Sequence, residues 1–592
     1  MPTSARYDVL IRNTTIVDGT GRPSCRGSVA VAGGRVAAVG AVEGSAALEI
    51  DGAGLTTCPG FVDAHSHADL SILQVPGAEN LVMQGITTFV GGNCGVSLAP
   101  IRDRSYFDAA RKAWNLDLEP AWASFGGFLE AVQSAGLAPN YLPLVGHNAI
   151  RGAVLGTDYQ RPSRPDELEV MKGLLEESLD SGCFGFSVGL DAATPGHYAD
   201  LDEIAELLRL VSRRDGVFAP HTRHHQNQWP ASRAGQNVYG IYHGPKGEII
   251  TGRYHGLLEA VELSRQAGVR LHLAHLTPAF LVPQPHPDYL DEALARATLE
   301  AVIDGPAAEG LEVSFNVVSS PHSIGAEIPI LDSLPAGLRS LDRDALVRKL
   351  KTRAFRDRLR RLIDSGQMKF GMIHPVTDPY WSDSYIVLRC ANREYEGRTL
   401  WDLARRREPM HTVKAVYVDC VEVLCDILVD DPQATWALCR DKREHGVMQH
   451  FLRHPRGIPI TDVHALPAHP APGAGIFNYG VSPIAYGAFP WFLETAVKKW
   501  RTLSLEEAVR KVSGFPAREV FGLSDRGVLE ANAWADIVVL DFERLSAPDD
   551  FLHPELPPRG IEYVLVNGVV AFDHGRFTGS RSGTVIRKRG NA

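Results

Sequence analysis

Four histidines, one cysteine and one aspartate have the types and spacing needed to hold a metal ion. His65 and His67 stand two apart in Asp63-Ala64-His65-Ser66-His67. In an extended segment residues i and i+2 point the same way, so both imidazoles can face one ion. Cys94 lies in Gly91-Gly92-Asn93-Cys94-Gly95. Glycines there permit tight backbone geometry near a ligand, and a thiolate is a soft donor. His221 ends Ala219-Pro220-His221, His275 ends His272-Leu273-Ala274-His275, and Asp462 ends Ile458-Pro459-Ile460-Thr461-Asp462. His272 and His275 are three apart, so one of them faces inward, and His275 is better placed at the strand end. Taken singly, each has a plainer reading: surface histidines, a packed thiol, core histidines, a helix-capping aspartate.

The elements that must carry these residues change that balance. Short apolar runs at 61–64, 87–91, 141–145, 184–187, 217–219, 269–274, 311–317 and 457–461 alternate with helical patterns. Among the latter, 167–179, 201–212 and 257–267 repeat apolar residues at spacings of three and four. The rhythm is that of βαβ units and a parallel sheet, and eight such strands close a (β/α)8 TIM-like barrel. The six candidates follow strands one, one, two, five, six and eight, whose C-terminal ends a closed barrel brings to one rim. A mixed set of histidine, cysteine and carboxylate favours zinc.

Both ends of the chain are different in style. Strand-like segments at 7–12, 28–32, 35–39 and 47–50 are matched by 535–540, 563–566 and 569–572, the last pair joined by Asn567-Gly568. One discontinuous domain, 1–58 with 530–592, is expected around a barrel domain at 59–529. Ser504-Leu505-Glu506-Glu507 reads as a capping box opening a helix. Two segments exceed ordinary loop length, near 226–255 and 319–456, and are expected to fold over the site or form a subdomain. Helices are expected in the second, over 343–365 and 412–429.

Composition narrows the function classes. In 592 residues, 60 Lys and Arg face 70 Asp and Glu, a formal net charge of −10. No basic stripe is present, which argues against a nucleic-acid partner. No apolar run approaches the ~20 residues of a membrane span, so no membrane partner is expected. The first residues lack the apolar core of a secretory signal, and the expectation is cytoplasmic. Eight cysteines without a Cys-x-x-Cys pair suggest reduced, buried side chains.

The sequence resembles the amidohydrolase superfamily and, within it, the D-aminoacylase (N-acyl-D-amino-acid deacylase) branch. The resemblance runs through Pro59-Gly60-Phe61-Val62-Asp63-Ala64-His65-Ser66-His67, Gly92-Asn93-Cys94-Gly95, Gly146-His147-Asn148-Ala149-Ile150-Arg151 and Gly185-Phe186-Ser187-Val188-Gly189-Leu190. It continues in Leu503-Ser504-Leu505-Glu506-Glu507-Ala508 and Ala535-Asp536-Ile537-Val538-Val539. His-x-His is shared by the superfamily, and Gly-Asn-Cys-Gly is the branch-specific element. The resemblance implies a zinc-bearing barrel with a small β-sandwich built from both termini. It implies Cys94, His221 and His275 as ligands of a tighter zinc, and His65, His67 and Asp462 around a weaker one, with Cys94 a candidate for sharing. The carboxylated lysine of many relatives has no candidate, because strand four reads Cys183-Phe184-Gly185-Phe186-Ser187. One zinc and two both stay open.

Such a site implies a small-molecule amide substrate and hydrolysis of a C–N bond other than a peptide bond. Zinc supplies a Lewis acid and makes water nucleophilic near neutral pH; Asp462 would take the water proton and pass it to the departing nitrogen. Hydrolysis of a cyclic amide, carbamate or lactone is the alternative. The sequence departs from the branch where Asp-x-Tyr-Pro-Tyr is replaced by Asn316-Val317-Val318-Ser319-Ser320 and His-Pro-Arg by Ser482-Pro483-Ile484. Leu276 and Asp191-Ala192 stand where a polar residue and a tyrosine are usual. A rebuilt, less polar pocket is expected. Arg223 could pair a substrate carboxylate bidentately or form a surface ion pair. His224, His225 and His243 are expected to face solvent. Tyr380, Trp381 and Tyr385 would form an aromatic lid or pack in the core of the second insertion.

Overall fold

A computed structural model describes residues 6–588 apart from 115, 192–193, 226–241, 245, 281–286, 321–326, 339, 365–380, 408–412, 439–441, 471–474, 477–478, 549 and 551. All eight expected central strands are present, with ends shifted by at most two residues. Phe61–Asp63, Ile86–Gly91 and Asn140–Pro143 form one parallel sheet. Val145–Gly146, Gly185–Gly189, Val217–His221, Arg270–Leu273, Val313–Val318 and Gly457–Ile460 form a second, also parallel and in chain order. The expected strand at 141–145 belongs to both sheets. Its first half pairs with Ile86–Gly91 and its second, beyond Leu144, with Gly185–Gly189. At the other edges, the Asp462 N–H donates to the His65 carbonyl at 3.0 Å and the His67 N–H to the Val463 carbonyl at 2.9 Å. The end of the last strand therefore lies against the end of the first.

These strands are apolar on both faces because helices cover them, as parallel sheets require; every residue of Ile86–Gly91 is buried. Helix Leu201–Arg213 shows the matching pattern. It buries Ile204, Leu207, Leu208 and Val211 and opens on Asp200, whose carboxylate accepts the Glu203 N–H at 2.8 Å. Helix Gly252–Ala267 is opened by Thr251 and ends on Gly268 in the left-handed region. Ser504 caps Leu505–Val512 as expected.

Strands from the two chain ends join in one nine-stranded sheet, in which Ile537–Leu540 pairs antiparallel with Thr56–Pro59. A buried polar network seats this sheet on the central strands. Asn567 donates from its backbone to Asp536 at 2.8 Å and from its amide to Asn140 at 2.8 Å, and Arg526 pairs with both Asp536 and Asn567.

The second insertion has its own apolar core and a three-stranded antiparallel sheet of Ile328–Pro329, Thr435–Leu438 and Tyr385–Arg389. The helix expected over 343–365 is two, Arg343–Leu350 and Arg353–Asp364, and the later one is Val413–Asp430. Trp381 and Tyr385 are buried in that core, Tyr385 at 4.5 Å from the Trp436 ring. Packing, not a lid, is what the structure gives them; Tyr380 lies outside the described residues. Cys58, Cys183, Cys390, Cys420 and Cys425 are buried and Cys25 is exposed, whereas Cys439 lies outside the described residues. Among the described residues no helix is long and apolar enough to cross a membrane.

Candidate metal centre

Each of the six candidates lies at or just beyond the C-terminal end of a parallel strand, and the sheets bring five of them into two overlapping clusters. His65, Cys94 and His275 form one; His65, His67 and Asp462 form the other. Cys94 Sγ lies 3.4 Å from Nε2 of both His65 and His275. Asp462 Oδ1 lies 3.3 Å from Nε2 of both His65 and His67. His65 is thus common to both groups. His221 stands beside them, its ring centroid 4.6 Å from that of His275 and its Nε2 3.6 Å from Asp191 Oδ2.

The backbone is bent to achieve this. Cys94, His275 and Asp462 have φ of 51°, 34° and 57°, a region that non-glycine residues seldom occupy and that persists where surrounding contacts over-determine it. Those contacts are visible. The His275 N–H donates to Asn316 Oδ1 at 2.6 Å, the Asn316 amide meets His272 Nε2 at 2.8 Å, and His272 Nδ1 meets Ser314 Oγ at 2.7 Å. Ser187 holds the Cys94 loop by accepting the Gly95 N–H at 2.9 Å and donating to the Gly92 carbonyl. Gly92 itself has φ +84°, and a Cβ there would stand 1.9 Å from the Leu144 carbonyl oxygen, so only glycine fits.

Electrostatics make the cluster unstable as a set of uncharged or unpaired groups. Burial pushes the Cys94 thiol well above its ordinary value, and the Asp462 charge adds to it. Burial likewise lowers His65 and, far more, His275, where the neighbouring His221 and His65 add to the effect. Burial also disfavours the charged forms of His67 and Asp462. For His67 the bond to Asp462 outweighs it and raises the imidazole; for Asp462 the neighbouring His65 and then His67 outweigh it and hold the carboxyl well below the carboxylate range. A thiol, several neutral imidazoles and one carboxylate converging without a cation is an arrangement that a divalent ion would satisfy. The spacings fit one. Zinc bonds of about 2.0–2.3 Å at tetrahedral angles separate their donor atoms by about 3.3–3.8 Å.

The remaining expectations are placed as follows. Arg223 is beside His221, but Glu259 holds its Nε at 2.9 Å, and its terminal nitrogens donate to the carbonyls of His197 and Ala199. His243 is exposed as expected. His224 and His225 are not: they are 3% and 6% exposed. Helix Gly252–Ala267 packs onto their turn, with a would-be Cβ of Gly256 at 1.8 Å from the Arg223 carbonyl oxygen. Ser187 escaped notice as a site residue, Asn316 and Asp191 entered only as departures from the branch pattern, and His225 was expected to face solvent. The signal for Asn316 and Ser187 was a polar side chain inside an otherwise apolar buried strand.

Comparison with known proteins agrees with this geometry. A model of the amidohydrolase family matches residues 482–572. The chain is 28% identical to N-acyl-D-glutamate deacylase of Alcaligenes xylosoxydans xylosoxydans, covering 98% of this chain and 97% of that protein. It is 27% identical to D-aminoacylase of the same organism, covering 99% and 98%. The crystal structure of N-acyl-D-glutamate deacylase from Bordetella bronchiseptica, complexed with zinc and a phosphonate inhibitor, superposes with a TM-score of 0.68 at 26% identity, covering 98% of this chain and all of that one. The chain is thus similar from end to end to N-acyl-D-glutamate deacylase and D-aminoacylase, and its residues 482–572 match the amidohydrolase family.

Proposed function

We propose that this protein is a zinc-dependent hydrolase that cleaves the amide bond of an N-acyl amino acid or a related amide. The observation that carries the reading is the pair of clusters sharing His65, with Cys94 and His275 on one side and His67 and Asp462 on the other. Cys94, His221 and His275 would hold the tighter ion, and His65, His67 and Asp462 would line a second position. Zinc bound there supplies a Lewis acid and makes water nucleophilic near neutral pH. Asp462, buried and ionised, is the group positioned to accept the proton of the attacking water and return it to the departing nitrogen. Water adds its oxygen to the acyl carbon, the C–N bond breaks, and a carboxylate and an amine result. A substrate carboxylate approaching Arg223 would compete with Glu259 for the guanidinium.

The architecture proposed with this function is a closed (β/α)8 barrel over 59–529 with insertions near 226–255 and 319–456. A β-sandwich domain would be formed by 1–58 and 530–592. Closure is supported by the strand segment that belongs to both parallel sheets and by the backbone bonds from Asp462 and His67 across their outer edges. Metal analysis followed by a screen of N-acyl-D- and N-acyl-L-amino acids, cyclic imides and lactones tests the function. Release of a free amino acid from an N-acyl substrate, identified by product mass, is expected. Turnover confined to cyclic amides or lactones contradicts it.

A further inference from the structure

The Gly146-His147-Asn148 run, which the metal centre does not use, opens helix His147–Leu155 straight from strand Val145–Gly146. Asn148 is 2% exposed and grips the Cys94 loop twice. Its backbone N–H donates to the Gly95 carbonyl at 2.9 Å, and its Nδ2 donates to the Cys94 carbonyl at 3.4 Å. The N–H of the same Cys94–Gly95 peptide is held by Ser187 Oγ at 2.9 Å. One peptide unit is thus fixed at both of its polar ends. It is the unit that follows Cys94, whose φ of 51° persists only where neighbouring contacts enforce it.

The other amide atom of Asn148 is engaged as well: Oδ1 accepts the Gly196 N–H at 2.8 Å. That bond settles which amide atom is which, since a flipped amide would set two donors together. The gap is cut to this side chain. A Cβ on Gly95 or on Gly189 would stand 2.8 Å from Asn148 Nδ2, and one on Gly196 2.8 Å from Oδ1. The helix that presents Asn148 is itself anchored, because Glu203 holds His147 at 2.8 Å and pairs with Arg151, one turn on.

The groups beyond these glycines belong to the rim of the site. After Gly189, the Leu190 N–H donates to the His221 carbonyl at 3.1 Å, and Asp191 Oδ2 lies 3.6 Å from His221 Nε2. Just past Gly196, His197 and Ala199 supply the two carbonyls that hold Arg223. A single amide therefore ties the loop of the candidate thiolate ligand to the segment that seats Arg223.

We propose that Asn148 is a positioning residue. By fixing the Cys94 peptide it aims the thiolate at the metal, and by holding Gly196 it keeps the Arg223 side of the rim in register with that thiolate. The proposal rests on the metal-centre reading above. Neighbours that orient a metal donor without touching the ion typically change affinity by about 10–100-fold when they are removed.

The test uses full-length protein stripped of metal and reloaded with one equivalent of Co2+ or Zn2+. In the wild type a thiolate-to-cobalt charge-transfer band is expected. Asn148→Asp keeps the side-chain volume and the acceptor for the Gly196 N–H, and a carboxylate is favoured in the first turn of a helix, but it cannot donate to the Cys94 carbonyl. Its charge-transfer band should move in wavelength and weaken, and the zinc dissociation constant measured by chelator competition should rise about tenfold or more. Asn148→Ser, neutral and too short to reach that carbonyl, should show the same two changes. Thermal unfolding of the metal-free proteins serves as the control for the fold. Wild-type band position and zinc affinity in either variant overturn the proposal and leave the metal centre standing. So does a lowered thermal midpoint, or loss of folding in both variants, without those metal effects, the mark of an amide that only supports the fold. Absence of the charge-transfer band from the wild type overturns the metal-centre reading as well.

Discussion

Asp462 Oδ1 and His65 Nε2 stand 3.3 Å apart, and the Asp462 N–H is bonded to the His65 carbonyl at 3.0 Å. One residue follows the first parallel strand and the other the last, so these two contacts, with the His67 N–H bond to the Val463 carbonyl, join the two ends of the parallel array and fix the carboxylate over the imidazoles. Because the backbone bond does not depend on the side chain, Asp462→Asn should keep the fold. Its turnover should fall about 10²-fold or more, the range of acid–base catalysis. Steady-state kinetics with thermal unfolding as control checks this, and near-normal turnover would remove Asp462 from the proton-transfer role.

Cys94 Sγ is equidistant from two Nε2 atoms at 3.4 Å, and burial keeps the free thiol protonated. A bound cation reverses that by stabilising the thiolate. Ligands that bind only the folded state stabilise it. Chelator treatment should therefore lower the thermal midpoint by several degrees and zinc should restore it, whereas Cys94→Ala should lose most of this zinc-dependent recovery. Calorimetry on metal-free and reloaded protein reads it.

Asn316 holds His275 in its left-handed conformation through a 2.6 Å bond to the backbone N–H. Asn316→Leu leaves that buried donor and His272 Nε2 unpaired, which costs about 1–3 kcal/mol for each unsatisfied group. Activity should fall at least tenfold and zinc affinity should weaken. Asn316→Asp, which keeps the acceptor, should recover more of the affinity than Leu.

Glu203 is buried between His147, at 2.8 Å, and Arg151. Burial raises its pKa, but the two basic neighbours outweigh this and hold it at about 2, against 4.5 for the free group. A depressed carboxyl contributes stability that is fully present above its unfolded value and is lost as the pH falls through the folded one. The contribution is on the order of 3 kcal/mol, lost between about pH 4.5 and 2. Asp63, pushed up to about 7 by burial, works in the opposite sense, with stability gained as the pH falls from about 7 to 4. Comparing urea melts of wild type and Glu203→Gln isolates the first effect: the variant should be less stable at neutral pH and lose less below pH 4.5.

Much of this was legible because burial writes itself into apolar runs. The eight central strands, covered on both faces, read as short Val/Ile/Leu/Phe segments, and the candidate donors at their ends followed from counting. Thr56–Pro59 was missed because its Thr-Thr-Cys-Pro run has neither alternation nor an apolar block. The break between Arg343–Leu350 and Arg353–Asp364 falls at Lys351 and Thr352, where charged periodicity continues on both sides. His224 and His225 were misread because membership of a long insertion suggests solvent. Their burial comes from Arg253 and Gly256 on a helix that begins later. The positive φ values at Cys94, His275 and Asp462 carry no side-chain signature, so the strain that aims three donors could be seen only in three dimensions.

Anomalous diffraction at the zinc edge, from crystals grown without chelator, examines the metal centre most directly. Our account predicts at least one ordered zinc peak bonded to Cys94 Sγ and the imidazole of His275, with Asp462 lining the same cavity. Crystals of active enzyme with no transition-metal peak within bonding distance of Cys94, His275, His65 or Asp462 would contradict it.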